Sequence, residues 1–227
     1  MLTLLCAMQP EADPIIDALG LVSVQTPWSE RLPPNLWEGW VGTKKLTLVT
    51  NGFDPRTNAN LIGTTPATLA SLIILNHINP SMILVAGAAG GCSKSTQIGE
   101  VFSIDKAFHH DRRIPLAEFK DYAHGPESLH IDDSSSLRVA TISTGNSLDT
   151  LDHELAFFQK HGITVKDMET ASIAWTASLY QVPTLAIRSI TDFYDHPTPE
   201  HQFLENFDLA LSNLASEVRK IVPALVS

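Results

Sequence analysis

The chain of 227 residues carries 15 basic and 25 acidic side chains, for a formal net charge of −10, with 44% hydrophobic and 18% charged residues. That length permits one large domain or two small ones, and no linker-like stretch forces a division, so residues 1–227 are read as a single domain. The acidic balance disfavours nucleic acid and anionic membranes as partners, because binding a phosphate backbone needs clustered Lys and Arg. No apolar run reaches the roughly 18 residues of a membrane span. The start, Met1-Leu-Thr-Leu-Leu-Cys-Ala-Met8, has no basic segment and meets Gln9-Pro10-Glu11 at once, which reads as a first strand rather than a signal peptide. Cys6 and Cys92, the only cysteines, make no disulfide framework. They are expected as buried thiols in a reducing, cytoplasmic compartment.

In chain order, Leu2–Met8 is a short apolar run that predicts a buried strand. Glu11–Leu19 has helical spacing, with Pro14 expected in its first turn, where proline is tolerated. Leu36–Val41 and Lys45–Thr50 predict a strand pair joined at Gly42-Thr43. Thr65-Pro66 predicts a helix start, with Thr65 as N-cap, running to about Ile78. Met82–Ala86 reads as a strand, Gly87-Ala-Ala-Gly-Gly91 as the turn after it, and Val101–Ala107 as another strand. Arg112–Ser136 is polar and predicts a long surface loop. Leu137–Ser143 is a strand, and Leu151–Lys160 a helix stopped by Gly162. Thr164–Asp167 leads into a small-residue helix, Glu169–Tyr180, and Pro183–Ile190 is a strand. Phe203, Phe207, Leu211, Leu214, Val218 and Ile221 recur at steps of three and four, so Pro199–Val222 is an amphipathic closing helix.

Strands alternating with helices imply an α/β fold, a three-layer sandwich with a central mixed sheet flanked by helices. Ligands in such folds bind beyond the carboxyl ends of the strands. The polar landmarks fall there: Glu11, Asn51-Gly52-Phe53-Asp54, the glycine-rich stretch at 87–91, Thr144-Gly-Asn-Ser147 and Thr191-Asp192. Each placement alone is weak, but jointly they outline one site.

Seven stretches in order carry a resemblance. They are Ala7-Met-Gln-Pro-Glu11, Gly63-Thr-Thr-Pro-Ala67, Gly87-Ala-Ala-Gly-Gly91, His110-Asp-Arg-Arg-Ile-Pro115, Ser143-Thr-Gly-Asn-Ser-Leu-Asp149, Lys166-Asp-Met-Glu169 and Arg188-Ser-Ile-Thr-Asp192. Over nearly its whole length the chain resembles the nucleosidases that cleave 5′-methylthioadenosine and S-adenosylhomocysteine, in the wider family of purine nucleoside phosphorylases and nucleosidases. The stretches at 110–115 and 143–149 look most like the plant-type branch. The resemblance implies hydrolysis of an adenine nucleoside in a homodimer without a cofactor.

Such a reaction needs an acid to protonate the departing purine and a base to activate water on the opposite face of the sugar. By resemblance the catalytic residues are Asp192 as the acid at N7 of adenine, Glu11 as the base, and Arg188 orienting the water and carboxylates. Each also has a bland reading: Asp192 as a turn cap, Glu11 as a first-turn helix acid favoured by the macrodipole, Arg188 as a structural ion pair. Strand alternation places Arg188, Ile190 and Asp192 on one side. Glu169 is implied as the ribose clamp, with Met168 against the sugar; a helix-start Glu and a core Met is the alternative. Met8, Ala88 and Gly90 complete the sugar side, and Leu148 with the backbone near Asp149 reads the base. Phe53 and Phe203 are implied to line the 5′-alkylthio pocket, although core packing is the commoner role of Phe. Pro115 matches a position that in relatives reaches into the partner subunit's site; an exposed loop proline is the alternative.

His109-His110-Asp111 could suggest a metal, but adjacent strand residues face opposite ways and no second ligand pair has metal spacing, so none is expected. Two positions depart from the family pattern. Most relatives have Ser or Thr at Ala88, and Asp at Asn146, a change expected to bear on how Asp192 is held. Phosphorolysis, cleavage of another nucleoside such as futalosine, and a non-catalytic nucleoside-binding role stand as the competing readings.

Overall fold

The computed structural model describes residues 1–226. In chain order the elements are β1 (Leu2–Cys6), α1 (Gln9–Leu19), β2 (Val22–Val24), β3 (Asn35–Val41), β4 (Lys44–Thr50), β5 (Phe53–Asp54) and β6 (Ala59–Asn60). Then come α2 (Thr64–His77), β7 (Met82–Gly91), β8 (Val101–His109), α3 (Lys120–His124), β9 (Glu127–Ser128) and β10 (Arg138–Thr144). The chain continues with α4 (Asp152–His161), β11 (Val165–Asp167), α5 (Thr170–Leu179), β12 (Thr184–Phe193) and α6 (Pro199–Leu225).

One mixed sheet runs in the order β11-β10-β8-β12-β7-β1-β4-β3-β2, and β11 also pairs with β7. That extra pairing closes β7, β12, β8, β10 and β11 into a ring, a feature that linear strand patterns do not announce. Helices cover both faces of the sheet. On β1, Leu2, Leu4 and Cys6 point to the layer packed by α1 and α6, while Leu5 points to the layer packed by α2 and α5. Both faces of β1 are therefore buried, and its sequence is accordingly apolar except for Thr3, whose hydroxyl pairs with that of Thr47 at 2.8 Å. The expected α/β sandwich is the observed architecture.

Several local expectations need correction. The stretch 87–91 is not a turn: β7 continues to Gly91, paired with β12 on one side and β11 on the other. Helix α1 begins two residues early, so Pro10 occupies its first turn and Pro14 lies inside the helix. The N-cap of α2 is Gly63, not Thr65, at φ 95°, a left-handed backbone suited to glycine. Asn146 Oδ1, 2.9 Å away, accepts the Thr64 N–H at the first position of the helix. The 112–136 stretch contains α3 and β9. Helix α4 ends, as expected, at Gly162 in the left-handed region (φ 66°), and the stripe of Leu211, Leu214, Val218 and Ile221 on α6 is buried.

Leu4 lies fully buried on β1 between β4 and β7. Leu4→Ala is expected to lower stability by about 2–5 kcal/mol through the cavity it leaves, read as a lower urea midpoint with an unchanged slope.

Candidate active site

A cavity of about 380 Å3 opens at the carboxyl ends of β1, β7, β11 and β12. Its size suits a small organic ligand, for which pockets of roughly 300–1,000 Å3 are usual. Glu11, Asp167, Glu169 and Asp192 all line it, as do Met8, Ala88, Gly90, Leu148, Met168 and Phe203. The sequence thus brings together carboxyl groups from both ends of the chain.

Glu11 stands in the first turn of α1. One carboxylate oxygen accepts the Met8 N–H at 2.9 Å and the other the Ala88 N–H at 2.8 Å. The group is buried, which pushes its pKa up; Arg188 and the backbone N–H donors pull the other way.

Arg188 sits on β12 at 1% exposure, behind the cavity wall rather than in it. Its Nη2 lies 2.5 Å from Asp167 Oδ2 and 3.7 Å from Glu169 Oε2, and also donates to Thr170 Oγ1 at 2.9 Å. Gly87 makes room for it: a Cβ there would fall 2.2 Å from Arg188 Nη1 and 2.8 Å from Glu11 Oε1. The ion-pair reading of Arg188 describes its geometry, and it positions carboxylates rather than facing the cavity.

Glu169 is the N-cap residue of α5, but its side chain turns away from the helix, with Oε1 accepting the Gly63 N–H at 2.9 Å. Burial and the neighbouring Asp167 push its pKa up to about 8, with Arg188 opposing.

Asp192 accepts the Thr191 hydroxyl at 2.7 Å. Burial raises its pKa, opposed by that hydrogen bond and by Lys166. A bulge between Ile190 and Asp192 sets Ile190 opposite Ala89 and Asp192 opposite Gly90. The extra residue reverses the alternation, so Asp192 does not share a side with Arg188 and Ile190 as simple alternation predicted.

Other expected residues separate. Phe53 does not line the cavity; the β5–β6 ribbon holds it on the surface at 43% exposure. Leu148 lines the cavity but Asp149 does not, and the Asp149 carbonyl accepts from Lys166 instead. Pro115 lies in an exposed coil outside the cavity. Asn146 makes no hydrogen bond to Asp192. Its Oδ1 accepts from Thr64 and its Nδ2 donates to Asp111 Oδ2 at 2.8 Å. Among the described residues no group of three or more His, Cys, Asp or Glu is placed to hold a metal. His110 instead pairs through Nδ1 with Ser143 at 3.0 Å.

Sequence reading assigned no site role to Asp167, Lys166, Ser147 or Ile62, all of which line the cavity. Lys166 and Asp167 carried a signal: two charges in the short run between Thr164 and Met168, just before a small-residue helix. Asp167 binds Thr144 Oγ1, the Thr170 N–H and hydroxyl, and Arg188.

This fold and this set of buried carboxyls place the chain in the phosphorylase superfamily, whose family model matches residues 2–227. Within it the chain sits with the 5′-methylthioadenosine/S-adenosylhomocysteine nucleosidases. It is 33% identical over 224 residues to the one from Arabidopsis thaliana, covering 95% of this chain and 88% of that protein. It superposes with TM-score 0.95 on the apo structure of Arabidopsis thaliana 5′-methylthioadenosine nucleosidase, at 28% identity over 99% of this chain and 95% of that one. A crystal structure of an MTA/SAH nucleosidase gives the same TM-score and coverage at 31% identity.

Because Glu169 holds its proton more tightly folded than unfolded, it contributes stability that is complete below its ordinary value of 4.5 and is lost as pH rises through about 8. Glu169→Gln is therefore expected to flatten the decline of stability between those values, read from urea midpoints across the pH range.

Proposed function

We propose that the chain hydrolyses the N-glycosidic bond of 5′-methylthioadenosine and/or S-adenosylhomocysteine, giving adenine and the thioribose product. The observation that carries this reading is the convergence of Glu11, Glu169 and Asp192, from three distant stretches, on one cavity. The names of the relatives support the substrate class.

In this reading Asp192, its proton affinity raised by burial, gives its proton to N7 of the purine as the bond to C1′ breaks. Water adds its oxygen to C1′ and loses a proton to Glu11. The atoms of one water are then divided between the sugar and, after proton exchange, the purine. Burial raises the proton affinity of Glu11 and suits it to receive that proton, while two backbone N–H groups fix its orientation. Glu169 accepts hydrogen bonds from the sugar hydroxyls, donors that favour its ionised form against the burial that favours the protonated one. Met8 and Met168 pack the sugar, Phe203 the 5′ substituent, and Leu148 the base. Arg188 acts through the carboxylates. No metal or cofactor enters these steps.

Phosphorolysis fits less well. A phosphate site needs free cations, and of the described residues lining the cavity only Lys166 is cationic, tied to residues 148–150. Adenine release from 5′-methylthioadenosine is expected in phosphate-free buffer; a requirement for phosphate would refute hydrolysis. Asp192→Asn is expected to lose more than about 10²-fold in turnover while still binding nucleoside, and near-native turnover would remove Asp192 from the acid role.

The reading extends to a homodimer. Helix α2 is apolar on its packed face and also exposes Leu69 and Leu72, while Leu179 and Tyr180 are exposed at the end of α5 beside it. A helix apolar all round seeks cover on both sides. Ile62 lines the cavity while 45% exposed, and Pro115 lies in an exposed coil, so a second subunit would complete the site. Leu69→Glu with Leu72→Glu is expected to halve the mass seen by sedimentation and to raise KM; a wild-type chain that sediments as a monomer refutes the dimer. A cytoplasmic setting is proposed from the two unpaired cysteines. Among the described residues no helix is long and apolar enough to cross a membrane.

A further inference from the structure

Lys166 has no part in the mechanism above, yet it is 4% exposed and lines the cavity. β11 sets it directly opposite Gly90 of β7, and β12 sets Asp192 opposite the same glycine from the other side. Directly opposed residues project to the same face of a sheet. Gly90 has no side chain to separate them, and a Cβ there would lie 2.9 Å from Asp192 Oδ2. The ammonium and the carboxyl therefore flank one bare glycine.

The ammonium is also committed to a single segment. Nζ donates to the Leu148 carbonyl at 3.0 Å, the Thr150 hydroxyl at 3.0 Å and the Asp149 carbonyl. All three of its donors are used. Leu148 lines the cavity while its side chain is substantially exposed, so little apolar packing holds the segment in place. A buried lysine is costly without such partners, and this one is matched to three acceptors.

We infer that Lys166 is a positioning residue, whose ammonium fixes residues 148–150 and so holds Leu148 in the wall that reads the purine, and whose charge tunes the readiness of Asp192 to give up its proton. The inference rests on the nucleosidase reading: the first role on purine binding in this cavity, the second also on Asp192 as the acid. The groups facing Lys166 are Glu154 from α4, Asp149 from the segment itself, Asp192 from β12 and His110 just after β8. Asp192 meets Lys166 as its charged neighbour and the Thr191 hydroxyl as its donor. A cation beside a carboxyl favours the ionised form, so removing Lys166 leaves Asp192 protonated to higher pH.

Lys166→Met and Lys166→Arg separate the two roles. Both are expected to weaken adenine binding about tenfold by calorimetry, and to raise KM similarly, because neither side chain reproduces a three-donor ammonium. Only Lys166→Met should move the alkaline limb of the kcat profile to higher pH, since Lys166→Arg keeps the charge. Native adenine affinity in both variants overturns the positioning role. An unmoved limb in Lys166→Met, or an equal shift in Lys166→Arg, overturns the charge role. Should Lys166→Met fail to fold, Lys166→Arg together with Thr150→Val decides, and unchanged adenine affinity in both refutes the positioning role. A wild-type chain that binds adenine but releases none from nucleoside would sink the nucleosidase reading and leave the positioning role to be judged by affinity alone.

Discussion

The site is organised around a guanidinium placed where water cannot reach it. Arg188 and Asp167 are each almost wholly buried and in direct contact, with Glu169 and Glu11 close by. Such a pair gains little over an apolar core of the same shape, because desolvation offsets the attraction, but removing one partner costs about 3–5 kcal/mol. Its consequence here is positional. Asp167 ends β11 and also accepts the first free N–H of α5, so the ion pair locks the start of α5 to β12. Glu169 is the N-cap residue of that helix, and its place in the cavity follows from the lock. The same cation opposes the rise in proton affinity that burial imposes on Glu11 and Glu169.

Two glycines make this arrangement possible, each by what it lacks. At Gly87 any side chain would strike Arg188 and Glu11; at Gly90 it would approach Asp192. β7 can therefore remain a paired strand through residue 91 while charged groups cross its face on both sides. The bulge at Thr191 does the complementary work on β12. Were Thr191 paired in a regular ladder, Asp192 would share the face of Arg188 and Ile190. A regular strand could not present both a buried guanidinium and a cavity-lining carboxyl from positions four apart on opposite faces.

The sequence makes most of the elements legible because their burial is two-sided or strongly striped. β1 is apolar but for Thr3, α6 a clear amphipathic helix, and Gly162 a helix stop in the left-handed region. What escapes is set by distant partners. Gly87–Gly91 has the composition of a turn, and only β11 and β12 on either side keep it extended. The bulge depends on a register that no local pattern encodes. Phe53 is apolar and follows a strand end, yet a two-residue ribbon turns it to the surface. Glu11, Glu169 and Asp192 could be singled out by the motifs around them, whereas Lys166 and Asp167, though in the same stretch as Glu169, show their roles only in coordinates, because those roles lie in acceptors and donors far away in the chain.

The two positions, Ala88 and Asn146, that the sequence resemblance marks as departures can be weighed by what they touch. Asn146 receives two bonds on its amide oxygen from Thr64 and gives one from its amide nitrogen to the Asp111 carboxylate. An ionised aspartate could accept from Thr64 but could not donate to Asp111, and would set two negative groups together. The amide thus matches its neighbours, and its contacts lead through Thr64 to Gly63, whose N–H holds Glu169, rather than to Asp192. Ala88 lacks a hydroxyl, but the contact that fixes Glu11 comes from its backbone N–H, which no side-chain change removes. The loss at this position is limited to one neutral hydrogen bond, about 0.5–1.5 kcal/mol, and falls on whatever the hydroxyl would have touched in the cavity. Neither substitution reaches the Arg188–Asp167 lock, so both leave the carboxylate framework standing.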